Sequence, residues 1–348
     1  MTRVAINGFG RIGRNILRAA LRSEEIKIVA INDLGDAATL AHLFKYDSLH
    51  GLFAGEVKSA AGTMIVDHRT IRMLQQPDPA ALPWTELGID LVIEATGAFT
   101  QRSQAARHLV AGARRVIISA PSADADVILC LGVNEEEYDP AAHTVISNAS
   151  CTTNCLTPIA KVLLERFGIV KGMMNTVHPY TNNQSLSDQP HADLRRGRAA
   201  GLSMIPTTTT AIQAAELVLP QLAGKLHGMA VRVPTPDVAL LDLVVETQCL
   251  TSVWAVNAAL REAAAGELKG ILEYCDLPLV SRDYQGNLAS AIVDGLSTAV
   301  IGGNLVRIVA WYDNETGYSQ RVVDLVEFIA GQELREEEQE VVYCRVAS

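Results

Sequence analysis

The sequence predicts an α/β chain: a doubly wound parallel sheet over residues 1–150, then an α+β domain with a mixed or antiparallel sheet over 151–314. Three observations carry this. Short apolar strands alternate with helical patterns through the first half, a glycine-rich turn joins the first strand to the first helix, and beyond residue 170 the strands lengthen and cease to alternate with helices.

In order, the parallel strands are expected at residues 4–7, 26–32, 91–95, 116–119 and 145–147, with a helix at about 11–21 after the first. Residues 49–83 read differently, as a hairpin-rich insertion with short strands at 57–58, 63–66 and 70–73. The second half offers long strands at 170–178, 228–233, 240–246 and 305–311. A last helix is expected at 315–330, returning to the first domain. Gly331 ends it, and an acidic tail occupies 331–348.

At 348 residues and 49% hydrophobic, the chain has enough apolar material for two cores. No apolar run approaches the roughly 20 residues that span a bilayer, and Met1-Thr2-Arg3 leads straight into a strand, so a cytoplasmic protein is expected. A net charge of −10 argues against nucleic acid as a general partner. The six cysteines lack metal-ligand spacing and no metal is expected.

The turn reads Gly8-Phe9-Gly10-Arg11-Ile12-Gly13, a G-x-G-x-x-G between strand and helix. Gly8 permits the tight turn, Gly10 lets a pyrophosphate approach the backbone, and Gly13 lets the helix pack on the strand. This is the signature of a Rossmann-type dinucleotide site. Twenty residues on, the second strand ends in Asn32-Asp33. An acid there accepts from the ribose hydroxyls and repels a 2′-phosphate, which predicts NAD over NADP.

The run Ser147-Asn148-Ala149-Ser150-Cys151-Thr152-Thr153-Asn154-Cys155 closes a strand and opens a helix. Cys151 is placed on the helix's first turn, where free N–H groups favour thiolate, so its pKa is expected below that of free cysteine. Cys155, one turn on, is expected to be buried and inert. Of eight histidines, His178 has the best context for a partner base, at a strand end that opens a polar loop.

Taken together, residues 8–13, residues 147–155, Arg232-Val233-Pro234-Thr235-Pro236 and Trp311-Tyr312-Asp313-Asn314-Glu315-Thr316-Gly317-Tyr318 resemble the phosphorylating glyceraldehyde-3-phosphate dehydrogenase family, over residues 1 to about 330. The resemblance implies Cys151 as nucleophile and His178 as its base, acting on glyceraldehyde 3-phosphate and inorganic phosphate through a thiohemiacetal and a thioester. It places Ser150, Thr152, Thr209 and Arg232 around the attacking phosphate, with Thr210 beside them, and Thr181, Arg196 and Arg232 around the substrate phosphate. Arg11, Ile12, Asn314 and Tyr318 join the glycines at the cofactor, and Leu34 and Pro190 match NAD-preferring members. Pro190 would reach a neighbouring subunit, which implies a homotetramer.

The chain departs from the family pattern where Thr210 replaces the common Gly, Gln213 a Lys, and Asn183 an Asp. A side chain at Thr210 narrows or redirects the anion pocket. Erythrose-4-phosphate dehydrogenase, whose acyl-enzyme is hydrolysed, is the nearest alternative. A Rossmann groove holding RNA or a regulatory partner is the reading from another class. The tail, with Cys344 as its lone cysteine, reads as a solvated charge run.

Overall fold

The computed structural model describes residues 1–60 and 62–346, with side chains as far as 333. The chain divides into two compact units. The first comprises Met1–Leu129, Glu136–Asn148 and the residues from Ser319 onward; the second comprises Cys130–Glu135 and Ala149–Tyr318.

Among the described residues, the first unit holds a nine-stranded sheet. Its order is Val127–Ile128, Val145–Ser147, Arg115–Ile118, Leu91–Glu94, Thr2–Asn7, Ile26–Asn32, Arg69–Leu74, Thr63–Val66 and Val57–Ala60. Pairing is parallel from the first of these to Arg69–Leu74 and antiparallel beyond. The doubly wound sheet is therefore present. The strands of the hairpin-rich stretch are present and join this sheet: Arg69–Leu74 pairs parallel with Ile26–Asn32, and the hairpin extends the sheet from there. Met64, Val66 and Ile71 are buried, and that apolar face is what docks the hairpin.

Strand order reverses around Thr2–Asn7, which has Ile26–Asn32 on one side and Leu91–Glu94 on the other. A crevice outside the carboxyl ends of strands at such a switch point is where open α/β sheets bind ligands. Helix Arg11–Ala20 buries Gly13, Ile16, Leu17 and Ala20, one stripe at helical spacing, and leaves Arg11, Arg14 and Arg18 outside it.

The second unit has a mixed sheet in the order Ile205–Thr207, Leu226–Val233, Ile169–Pro179, Ala239–Thr247, Leu305–Tyr312, Ala291–Asp294 and Leu272–Cys275, with Ala299–Ile301 pairing Leu305–Tyr312 off that path. Two pairings are parallel and the others antiparallel. Helix Cys151–Phe167 buries Cys155, Leu156, Ile159, Ala160, Val162 and Leu163. Cys155 is fully buried and its thiol is pushed well up by the loss of solvent.

The last helix corrects the sequence reading. It runs Thr316–Val346 and does not stop at Gly331. A glycine inside a helix costs only about 1 kcal/mol, and the Glu, Gln and Arg residues that follow are good helix formers. The solvated-tail reading and Cys344 lie outside the described side chains.

Candidate active site

Ser150 caps helix Cys151–Phe167: its backbone is extended and its Oγ accepts the Thr153 N–H at 3.1 Å. Ala149, just before it, has φ 53°, so the chain turns sharply from the strand into the helix. The Tyr318 hydroxyl donates to the Ala149 carbonyl at 3.0 Å and holds that turn. Cys151 is thereby the first helical residue, with its own N–H and that of Thr152 directed at the thiol.

His178 reaches the same point from strand Ile169–Pro179. Its Nε2 lies 3.6 Å from the Cys151 Sγ, within the looser range for sulfur. The parallel neighbour Leu226–Val233 pairs in register with His178 opposite Arg232. His178 Nδ1 lies 2.9 Å from the Pro179 carbonyl, to which an Nδ1 proton can be donated so that Nε2 is left as acceptor toward Cys151; the Arg232 Nη1 donates to the same carbonyl at 3.0 Å and crowds Nδ1.

Electrostatics follow from this packing. Burial first, then the Arg232 charge, lower His178 to about 3. Burial also pushes the Cys151 thiol up, against the pull of Arg232, of the Thr152 hydroxyl and of the helix N–H groups. The expected lowering of the Cys151 pKa is thus overturned, because loss of solvent outweighs the helix terminus. Both shifts favour the uncharged forms, thiol at Cys151 and imidazole at His178.

The predicted anion ligands are engaged by protein groups. Arg196 donates through Nε and Nη2 to the Thr207 Oγ1 at 2.9 and 2.6 Å and pairs with Asp193 at 3.4 Å. Its charge also acts on Arg232. The Thr181 hydroxyl donates to Asn183 Oδ1 at 2.7 Å. Thr209 Oγ1 accepts the Ala211 N–H at 3.1 Å, while Thr210 sits exposed at the start of helix Ala211–Val218 without capping it. Thr152 is buried, its hydroxyl 2.9 Å from the Tyr312 hydroxyl, which also meets Thr176 at 2.7 Å. Sequence reasoning passed over Tyr312, whose apolar strand context reads as core. Its ring and that of His178 meet in a T-shaped arrangement, with centroids 6.2 Å apart.

In the first unit, Gly8 has φ +94°, and a Cβ at Gly13 would lie 2.1 Å from the Gly8 carbonyl. Around Gly10 there is open space. Gly10 supplies no side-chain cap, so the turn of Arg11 and Ile12 presents amide donors, and Arg11 pairs with Asp47 at 3.4 Å. Asp33 is oriented by two backbone donors, Phe9 N–H on Oδ2 at 2.7 Å and Gly35 N–H on Oδ1 at 2.8 Å. One lone-pair direction remains on each oxygen, which suits a ribose diol. Leu34 beside it is 71% exposed.

In the second unit, Asn314 is buried and its Oδ1 has no hydrogen-bond partner among the described residues. A carboxamide N–H would satisfy it, so the residues fit a nicotinamide dinucleotide. Pro190 is on an exposed loop. Tyr318, expected at the cofactor, is 5% exposed with its hydroxyl engaged at Ala149, which makes it a brace of the Cys151 turn.

A glycine cradle at a sheet switch point and, in the second unit, a thiol–imidazole pair beside arginines define an NAD-dependent oxidoreductase. The chain belongs to the glyceraldehyde-3-phosphate dehydrogenase family. Residues 2–102 match the model of the glyceraldehyde 3-phosphate dehydrogenase NAD binding domain, and residues 150–314 match that of the C-terminal domain. The chain is 59% identical over 332 residues to glyceraldehyde-3-phosphate dehydrogenase of Geobacillus stearothermophilus, covering 95% of this chain and 99% of that protein. It is 56% identical to glyceraldehyde-3-phosphate dehydrogenase 1 of Bacillus cereus, over 96% of this chain and 100% of that protein. To glyceraldehyde-3-phosphate dehydrogenase 2 of Trichormus variabilis it is 52% identical over 95% and 99%.

Proposed function

We propose that Cys151 and His178 are the nucleophile and the base with which this chain, an NAD-dependent glyceraldehyde-3-phosphate dehydrogenase, oxidises glyceraldehyde 3-phosphate to 1,3-bisphosphoglycerate in glycolysis and gluconeogenesis. The observation that carries this reading is the 3.6 Å approach of Cys151 Sγ to His178 Nε2 at a capped helix start, with Arg232 on the other side of the imidazole.

His178 takes the Cys151 proton as sulfur adds to the aldehyde carbon, and the thiohemiacetal oxyanion is stabilised by the Cys151 N–H and by His178. Asn314 would hold the carboxamide of a bound NAD, whose chemistry would be to supply the two-electron acceptor for the hydride of the former aldehyde carbon. Cys151 is left carrying a thioester. Inorganic phosphate attacks the acyl carbon, the acyl phosphate leaves, and the sulfur is free to take its proton back from His178.

Arg232 ties binding to this chemistry. With burial, its charge suppresses protonation of His178. A substrate phosphate taken up by Arg232 and Arg196 neutralises that charge, so His178 becomes a stronger base as the aldehyde arrives. In this reading Ser150, Thr152, Thr209 and Thr210 would serve the attacking phosphate, and Thr181 the substrate's own. Leu186, Leu194, Leu202 and Met204 are exposed at 94, 85, 87 and 74% on the loop that carries Pro190, which supports a homotetramer in which neighbouring subunits cover them. With glycolysis goes a cytoplasmic location.

The test is initial-rate NADH formation with glyceraldehyde 3-phosphate or erythrose 4-phosphate, with and without phosphate or arsenate. Phosphate-dependent turnover that favours glyceraldehyde 3-phosphate is expected. Phosphate-independent turnover with erythrose 4-phosphate preferred would replace this reading with the hydrolytic one.

A further inference from the structure

We propose that Glu94 is a positioning residue for the dinucleotide: a buried carboxylate that fixes Thr96 against Gly8 and so sets the opening that receives the pyrophosphate. The proposal rests on the glycine turn holding that group. Asn32, Asn7 and Glu94 stand side by side at the carboxyl ends of three adjacent strands, in register. The Glu94 side chain is 1% exposed and that of His108 is 0% exposed. Such a charge is costly to bury, and a well-packed apolar pair would serve stability at least as well.

Four donors converge on this carboxylate. Glu94 Oε2 accepts Asn7 Nδ2 at 2.5 Å and lies 3.1 Å from His108 Nε2. Trp84 Nε1–H donates to His108 Nδ1 at 3.0 Å, which makes Nδ1 the acceptor and directs an Nε2 proton at Glu94. Oε1 accepts the Thr96 N–H at 2.8 Å and the Thr96 hydroxyl. Asn7 is itself fixed, because its Oδ1 accepts Asn32 Nδ2 at 2.7 Å.

Thr96 is exposed, and its backbone N lies 2.6 Å from where a Cβ of Gly8 would stand. The buried network thus ends on an exposed residue that walls the glycine turn. Both oxygens must accept, so an uncharged amide at position 94 turns a donor toward one pair of donors and loses either Thr96 or the Asn7–His108 side.

Calorimetric NAD binding to the full chain, beside steady-state kinetics, tests this. Glu94→Gln should weaken NAD binding about tenfold, the worth of a charge-assisted hydrogen bond, and raise the KM for NAD in parallel. The KM for glyceraldehyde 3-phosphate, and kcat at saturating NAD, should stay within about twofold. The double variant Asn7→Asp with Glu94→Gln moves the carboxylate to the adjacent strand. There it accepts from Asn32, from His108 and from the new amide at position 94, while the oxygen of that amide accepts from Thr96. Recovery to within about threefold of the parent is expected.

An unchanged Kd in Glu94→Gln, a uniform loss of every kinetic constant, or a double variant no better than the single overturns the proposal. Should Glu94→Gln fail to fold, Thr96→Val at the exposed end decides: NAD binding weakened about threefold supports positioning, and an unchanged Kd overturns it. Failure of the unaltered chain to bind NAD would instead overturn the glycine-turn reading.

Discussion

His178 meets Arg232 because two parallel strands pair in one register, and the chemistry of the pair follows from that alignment. Replacing His178 by Asn removes the base and keeps the side-chain volume, so kcat should fall by about 10²–10⁴ while the Kd for NAD stays unchanged. Retained kcat would remove His178 from the reaction. The raised Cys151 pKa makes a second claim: in the unliganded chain the rate of its alkylation by iodoacetamide should still be climbing at pH 9, and a plateau below pH 8 would contradict it. Asp33→Ala should raise the ratio of kcat/KM for NADP over NAD about tenfold or more, because repulsion of the 2′-phosphate disappears. It also frees the Phe9 N–H, so NAD use should weaken in absolute terms. The side-chain identities at Cys151, His178 and Asp33 were legible in the sequence because each ends or opens an element. Tyr312 was not, since a phenol in an apolar strand shows its polar role only when Thr152 and Thr176 are seen to converge on it.

At the scale of elements, the start of helix Cys151–Phe167 depends on Ser150. Ser150→Ala should cost about 0.5–2 kcal/mol in stability and lower activity further than that cost explains, because the cap also fixes Cys151. Urea midpoints read beside kcat separate the two effects, and equal activity at full folding would refute it. Helix Ala211–Val218 is the contrasting case, since Thr210 stands at its start without capping it. Thr210→Gly should lower the KM for phosphate roughly two- to tenfold with no change in that for NAD, by clearing a side chain from the first-turn amides. Strand and helix periodicity made the parallel sheet and the Cys151 helix legible. It did not show that residues 57–74 join the same sheet, because edge pairing depends on a partner strand distant in sequence. Gly331 misled in the opposite direction: a single glycine is a weak stop when good helix formers surround it.

For the molecule as a whole, the buried histidine should write itself into acid stability. His178 titrates near 3 when folded and near 6.5 when unfolded, so between those values the unfolded chain binds more protons and stability rises with pH. The penalty is absent above about pH 6.5 and grows as pH falls toward 3, to on the order of 4 kcal/mol. Asp126, which burial would raise but which Arg102, the Val145 and Thr144 N–H groups and the Thr144 hydroxyl together lower to about 2, acts lower: its contribution is lost as pH falls from 3.8 through 2. On the alkaline side the raised Cys151 thiol favours the proton-bound native state, so its ionisation on unfolding lowers stability above pH 9. Urea midpoints of the parent and of His178→Asn should therefore converge at pH 7–8, after any constant offset, and separate in favour of the variant between pH 6 and 4. A difference between the two that stays flat across that window would mean that His178 takes up its proton in the folded chain as readily as in the unfolded one, and that burial beside Arg232 does not hold the imidazole neutral.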